Sequence, residues 1–175
     1  NGMICASEQA VIIDKEIYDV TVEEFKKYGV YVANASEKKK LESYMFGVNK
    51  EEDKTNAKLN PVIVGKPAYW IAKEAGFEVP EYTSVILVSC KSVGVEEPLT
   101  REKLSPVLAV LKSKNVEEGI LLSKQMVEFN GLGHSAAIHT ADKNLTEKFG
   151  DVIPAIRIIW NSPSTFGGIG NVYNS

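Results

Sequence analysis

The chain has 175 residues, of which 44% are hydrophobic and 25% are charged, a composition typical of one soluble globular domain. Its 20 basic and 23 acidic residues are scattered along the chain and give a net charge of -3, so the basic surface of a nucleic-acid-binding protein is missing. No apolar run approaches the roughly 18 residues that predict a membrane span. We therefore expect no nucleic-acid partner and no membrane association.

Short apolar runs alternate with amphipathic stretches in the first half of the chain. Thr21 and Glu24 have the spacing of a capping box, which predicts a helix that starts there and ends near Gly29. Ser36 is expected to cap the next helix. The elements predicted in order are strands at 9–14 and 31–33, a helix at 36–46, a loop at 48–60, a helix at 66–75 and a strand at 84–90.

The second half continues the alternation of strands and helices. Its predicted elements are strands at 106–111, 135–140 and 155–160, helices at 116–129 and 145–149, and a loop over 161–175. The β-branched run 84–90 is typical of a strand that is covered on both faces. Together these patterns predict an α/β fold with helices on both sides of a mainly parallel sheet, that is, a three-layer α/β/α arrangement.

Two cysteines, Cys5 and Cys90, are too few for a disulfide framework or a zinc cluster. We expect both to be reduced thiols in a cytoplasmic protein. Cys90 ends an apolar strand, where a thiol behaves as a small buried hydrophobe. The two histidines, His134 and His139, have no third ligand at a useful spacing, so no metal site is predicted.

Cys5 lies in the stretch NGMICASEQA, after a glycine that favours a turn. In a turn between two elements, backbone N–H groups could point towards the sulfur, lower its pKa and hold an oxyanion. The alternative is a half-buried small residue at the entry to a strand. The local sequence leaves both interpretations open.

Other residues also have two interpretations. His134 follows Gly131-Leu132-Gly133 at the start of a strand, where functional side chains collect in α/β folds, but it could be a hydrogen-bonded structural histidine. Glu102 could be no more than a solvated charge. Neither that glycine cluster nor the one at 166–170 runs from a strand through GxGxxG into a helix, so neither matches the dinucleotide-binding fingerprint.

Four stretches taken together are more specific than any residue alone: NGMICASEQ, REKLSPVLAV, NGLGHSAAIHT and NSPSTFGGIGNVYN. In this order and spacing the whole chain resembles the CoA-acylating acetaldehyde dehydrogenases of the aldehyde dehydrogenase superfamily, and in particular the aldehyde dehydrogenase part of bifunctional aldehyde–alcohol dehydrogenases. The resemblance implies that residues 1–175 are the cysteine-bearing catalytic domain and that the nucleotide-binding domain lies outside this chain. We expect the chain alone to be inactive for that reason.

The resemblance also implies roles for individual residues. Cys5 matches the catalytic cysteine, which attacks the aldehyde to give a thiohemiacetal and then a thioester. Glu102 matches the glutamate that binds the nicotinamide ribose hydroxyls of NAD. His134 matches a histidine that serves acid–base chemistry or the coenzyme A step. The substrate end of the pocket is matched by Phe166, Gly167 and Gly168.

NAD and coenzyme A are the cofactor and co-substrate that the resemblance implies, with a small aldehyde as substrate and no metal. The complete protein is expected to be a homo-oligomer. Two alternatives stay open at this point. The aldehyde could be succinate semialdehyde, propionaldehyde or butyraldehyde, or the chain could be a non-catalytic α/β binding or assembly module in which Cys5 is structural.

Overall fold

A computed structural model describes residues 2–129 and 133–169 and folds them around two parallel sheets. The strands are β1 (Ala10–Asp14), β2 (Val30–Ala33), β3 (Val85–Ser89), β4 (Val107–Ser113), β5 (Gly133–Ile138) and β6 (Ala155–Trp160). The α-helices are α1 (Tyr18–Lys27), α2 (Ala35–Phe46), α3 (Ala68–Ala75), α4 (Val116–Phe129), α5 (Lys143–Val152) and α6 (Ser164–Ile169). Short 3₁₀ helices occur at Glu51–Asn56, Pro61–Ile63 and Pro98–Thr100.

The larger sheet has the strand order β1-β4-β3-β2, and all its strands are parallel. On one face, α2 and α3 bury side chains such as Leu41 and Ile71 against it. On the other face, Val22 and Phe25 of α1 pack against Leu87 of the sheet. The sheet is thus covered on both sides, as its apolar β-branched strands require. The three-layer α/β/α prediction is confirmed.

The smaller sheet consists of β5 and β6, paired in parallel from Gly133↔Ala155 to Ile138↔Trp160. Helices α4 and α5 cover it with a separate apolar cluster that contains Ile120, Phe149 and Ile153. Helix α4 also contacts β1 and β4, so it joins the two sheets. This arrangement brings the C-terminal elements close to the chain segment that precedes β1.

Two predicted N-cap residues, Thr21 and Ser36, are wrong. Helix α1 begins at Tyr18, and Thr21 lies inside it with its backbone N–H donating to the Ile17 carbonyl at 2.9 Å. The capping box belongs to α2 instead, where the Asn34 side chain accepts from the backbone and Glu37 reaches back to the Asn34 N–H. Residues 21–24 and 34–37 both have the spacing of a capping box. Only Asn34 has the extended backbone that an N-cap residue requires.

The C-terminal part differs from the prediction in two places. Residues 164–169 form α6, although their glycines predict a loop; contacts made by Ser164 hold this helix in place. Strand β5 begins at Gly133, which puts His134 inside the strand and leaves His139 beyond its end. The predicted bounds of α4 and β6 are confirmed.

Candidate active site

Cys5 lies in a tight turn in which the Ser7 N–H donates to the Ile4 carbonyl at 2.8 Å. Its thiol is free and exposed, as are the apolar side chains of Met3 and Ile4, whereas Ala6 is buried. The turn directly precedes β1. Of the two arrangements that the sequence leaves open for Cys5, the structure has the accessible thiol in a turn, which is the arrangement a nucleophile needs.

The turn rests on the segment that contains Glu102. Gly2 has a φ of +67°, and a Cβ at this position would lie 2.9 Å from the backbone oxygen of Ser105, so only glycine permits this close approach. The backbone N–H of Lys103 donates to Gln9 Oε1 at 2.9 Å. Since β1 and β4 are adjacent and parallel, the two segments that precede them meet on the same side. Glu102 is exposed there.

Helix α6 packs against the same turn from another direction. Ser164 Oγ donates to the Ala6 carbonyl at 2.6 Å, and the Ser164 N–H donates to Glu8 Oε1 at 3.1 Å. Helix α6 carries Phe166, whose side chain is exposed, and the predicted pocket residues Gly167 and Gly168. A Cβ at residue 167 would lie 2.8 Å from Ile159 Cδ1, so a glycine here lets α6 pack closely on β6.

The hydrogen bond from Ser164 to Ala6 gives a testable prediction. Both residues are buried, so Ser164→Ala leaves a carbonyl oxygen without its donor, which costs about 1–3 kcal/mol. We expect the free energy of local opening of α6, measured by amide hydrogen exchange in the complete protein, to fall by that amount. Thr165→Ala is the matched control, because it removes a hydroxyl from the neighbouring position. Equal effects of the two substitutions would contradict the assigned contact.

His134 is half-buried on β5, one residue into the strand. Its strand also contacts α6, the helix whose first residue is bonded to the turn of Cys5. The direct contacts described above join Cys5 to the segments of Glu102 and Phe166. They do not include His134, whose role stays a prediction.

Cys90, unlike Cys5, is buried. It is 4% exposed at the end of β3 and belongs to the main apolar cluster, as the sequence predicts. Burial raises the pKa of this thiol to about 12. At neutral pH Cys90 is therefore protonated and inert, and Cys5 is the thiol available to a reagent.

Two further findings concern metals and membranes. Within residues 2–129 and 133–169, no three His, Cys, Asp or Glu side chains group in a way that could hold a metal ion. Over the same residues, no helix has the length and apolarity needed to cross a membrane.

Comparison with known proteins shows which proteins the chain is similar to. The chain is 65% identical over 176 residues to an aldehyde-alcohol dehydrogenase of Streptococcus pneumoniae, matching 100% of this chain and 20% of that protein. It also superposes on an acetylating aldehyde dehydrogenase from Geobacillus thermoglucosidasius with a TM-score of 0.88 and 40% identity, over 98% of this chain and 36% of that one. Over its whole length the chain is therefore similar to a part of the acetylating aldehyde dehydrogenases. No protein-family model matches it.

The chain spans about a fifth, 20%, of the length of the aldehyde-alcohol dehydrogenases of Streptococcus pneumoniae and Entamoeba histolytica that it matches. A propionaldehyde dehydrogenase from Rhodopseudomonas palustris, solved with bound CoA and an acylated cysteine, matches with a TM-score of 0.83 over 100% of this chain and 38% of its own. At 24% identity that match supports the fold alone.

Sequence reasoning missed several residues that hold the segments of the candidate site together. They are Glu8, Gln9, Lys103 and Ser164, which bond the Cys5 turn to its neighbours. Their bonds join positions up to 158 apart in sequence. One signal was available: Lys103 stands inside a motif stretch next to Glu102, in a segment that feeds a buried strand.

Proposed function

We propose that residues 1–175 are the cysteine-bearing catalytic domain of an NAD-dependent, CoA-acylating acetaldehyde dehydrogenase. The reaction is acetaldehyde + CoA + NAD⁺ ⇌ acetyl-CoA + NADH + H⁺. One observation carries the proposal. Cys5 is an exposed thiol in a turn that is bonded both to the segment of Glu102 and to the start of α6.

Cys5 is the nucleophile of the first step. Its thiolate attacks the aldehyde carbon, and the carbonyl oxygen becomes the oxyanion of a thiohemiacetal on Cys5 Sγ. The backbone N–H of Cys5 is suited to donate to that oxyanion, because it belongs to the same turn. The exposed apolar side chains of Met3, Ile4 and Phe166 suit a small aldehyde with little polarity.

Glu102 is the residue proposed to hold NAD. Its carboxylate is exposed while the next residue, Lys103, is fully buried, so the backbone beneath the carboxylate is fixed. A carboxylate accepts hydrogen bonds from two neighbouring ribose hydroxyls, which fits this donor set. When bound there, NAD would supply the acceptor for the hydride that leaves the thiohemiacetal carbon. What Glu102 does is orient the ribose, and Cys5 keeps the acyl group as a thioester.

Transfer to coenzyme A completes the cycle. The thiol of CoA attacks the thioester carbon, the bond to Cys5 Sγ breaks, and acetyl-CoA leaves with Cys5 restored as thiolate. The incoming thiol must lose a proton, and His134 is the side chain that we assign to accept it, since an imidazole nitrogen can act as a proton acceptor. An exposed free thiol at the centre of this cycle favours a reducing compartment, hence the cytoplasm. A homo-oligomeric complete protein stays a prediction of the family resemblance.

The second half of the reaction can be tested in reverse without NAD. The complete protein that contains this chain is incubated with acetyl-CoA alone, and its peptides are analysed by mass spectrometry. We expect one acetyl group on Cys5, with release of one CoA per site, and none on Cys90, whose buried thiol has a raised pKa. Butyryl-CoA and succinyl-CoA, compared at equal concentration, rank the acyl chains that the pocket accepts.

An unmodified Cys5 in folded protein would contradict the proposal. The rate at which iodoacetamide alkylates Cys5 distinguishes the remaining explanations. A Cys5 that alkylates no faster than a free thiol at neutral pH favours the non-catalytic binding module. If a longer acyl-CoA acylates Cys5 faster than acetyl-CoA does, the mechanism is unchanged but the substrate is a longer aldehyde than acetaldehyde.

A further inference from the structure

Lys103 is a lysine with no exposed surface, and its ammonium is bonded to three backbone carbonyls. Nζ donates to the carbonyl oxygens of Leu99 at 2.8 Å, Arg101 at 2.8 Å and Gln9 at 3.0 Å. A lysine ammonium has three N–H donors, so every donor is used. Two of the acceptors lie in the chain that leads to Glu102, and the third lies in the chain that follows Cys5.

Gln9 makes the reciprocal contacts. Its side-chain Oε1 accepts from the Lys103 backbone N–H at 2.9 Å, and its Nε2 donates to the Ser7 carbonyl at 3.2 Å, inside the turn of Cys5. Its carbonyl, which accepts from Lys103 Nζ, also accepts from the N–H of Ala109 on β4 at 3.2 Å. The side chain of each residue is therefore hydrogen-bonded to the backbone of the other.

Burying the charge of a lysine costs free energy, and this cost shows in the pKa of Lys103. Burial lowers the pKa of Lys103 to about 7, and the neighbouring Glu102 carboxylate acts in the opposite direction. Cys90 is also close, but with a pKa of about 12 it is a neutral thiol at neutral pH. A leucine or methionine would fill the same space without the cost of burying a charge, so stability alone does not call for a lysine here.

We propose that Lys103 and Gln9 form a positioning pair, which fixes the turn of Cys5 relative to Glu102. This inference rests on the proposed function, since it assigns the pair to the alignment of the nucleophile with the residue that orients NAD. Neither side chain touches the reacting atoms. Their contribution is geometric, because a misplacement of about 1 Å can cost about 100-fold in rate.

The test uses Lys103→Met, Gln9→Met and the double variant in the complete protein. Methionine has the length of glutamine, is one atom shorter than lysine, and removes the hydrogen bonds that either side chain makes. We expect each single variant to lower kcat for acetaldehyde oxidation at least about tenfold. The double variant should have a kcat no lower than that of the less active single variant, as for residues that act as one unit. Cys5 alkylation by iodoacetamide needs no NAD, so its rate should stay within about threefold of wild type.

Ile71→Ala is the control for a merely structural role. Ile71 is fully buried on α3 and belongs to neither segment, so its truncation destabilises the protein without removing a hydrogen bond of the pair. We expect its kcat to stay near that of wild type. If Ile71→Ala lowers kcat as much as Lys103→Met, or if alkylation changes in parallel with kcat, the positioning role is wrong.

Two further outcomes complete the design. If Lys103→Met does not fold, Gln9→Met decides alone, because it leaves the Lys103 ammonium and its three carbonyls in place. A wild-type protein that oxidises no aldehyde with NAD and CoA would overturn the proposed function. An active wild type with unimpaired variants would overturn the positioning pair only.

Discussion

Cys5→Ala is expected to lower aldehyde oxidation by the complete protein at least about 10⁴-fold, because the substitution removes the atom that carries the acyl group. No neighbouring thiol can replace it, since Cys90 is buried and its pKa is raised to about 12. The rate of NADH formation from acetaldehyde, CoA and NAD measures the loss. Acetylation by acetyl-CoA should disappear in the same variant.

Cys90→Ala is the matched control for this prediction. It removes the other thiol of the chain from a buried position, where it packs as a small hydrophobe and not as a nucleophile. We expect unchanged kcat and a modest loss of thermal stability. Comparable activity losses in both variants would show that the effect of Cys5→Ala is structural, and the assignment of the nucleophile would then be wrong.

The layered fold could be predicted from the sequence because its signals are local. The β-branched run of β3 and the amphipathic pattern of α4 each specify an element within one window of residues. The error at Thr21 shows where local signals fail. Its spacing to Glu24 is that of a capping box, yet whether a residue is an N-cap depends on its backbone angles, which the flanking turn and packing decide.

The residues proposed for the site come from the sequence, but the bonds between their segments could not be predicted from it. Cys5, Glu102 and Phe166 are found through motif stretches, and the structure joins their segments. The bonds that do so are made by Gln9, Lys103 and Ser164, across 94 residues for the first pair and 158 for the bond from Ser164 to Ala6. No periodicity encodes such pairs. A buried lysine resembles an exposed one in sequence, because the three carbonyls that satisfy Lys103 are backbone atoms with no residue signature.

Glu102→Gln is expected to lower kcat/KM for NAD about 10- to 100-fold, because a charged acceptor contributes about 1.5–3 kcal/mol to a hydrogen bond and glutamine offers only one neutral oxygen. The loss should fall mainly on KM, as for an interaction made in the ground state and the transition state alike. Glu96→Gln is the control, since Glu96 is an exposed carboxylate whose ion pair with Lys54 at 3.8 Å contributes little.

The two half-reactions separate binding of NAD from damage to the nucleophile. Acetylation of Cys5 by acetyl-CoA requires no NAD, so Glu102→Gln should acetylate at a rate within about twofold of wild type. If acetylation falls together with kcat/KM for NAD, Glu102 acts through the turn of Cys5 and not through the cofactor. The contact between Gly2 and Ser105 would then be the route, because it joins that turn directly to the segment following Glu102.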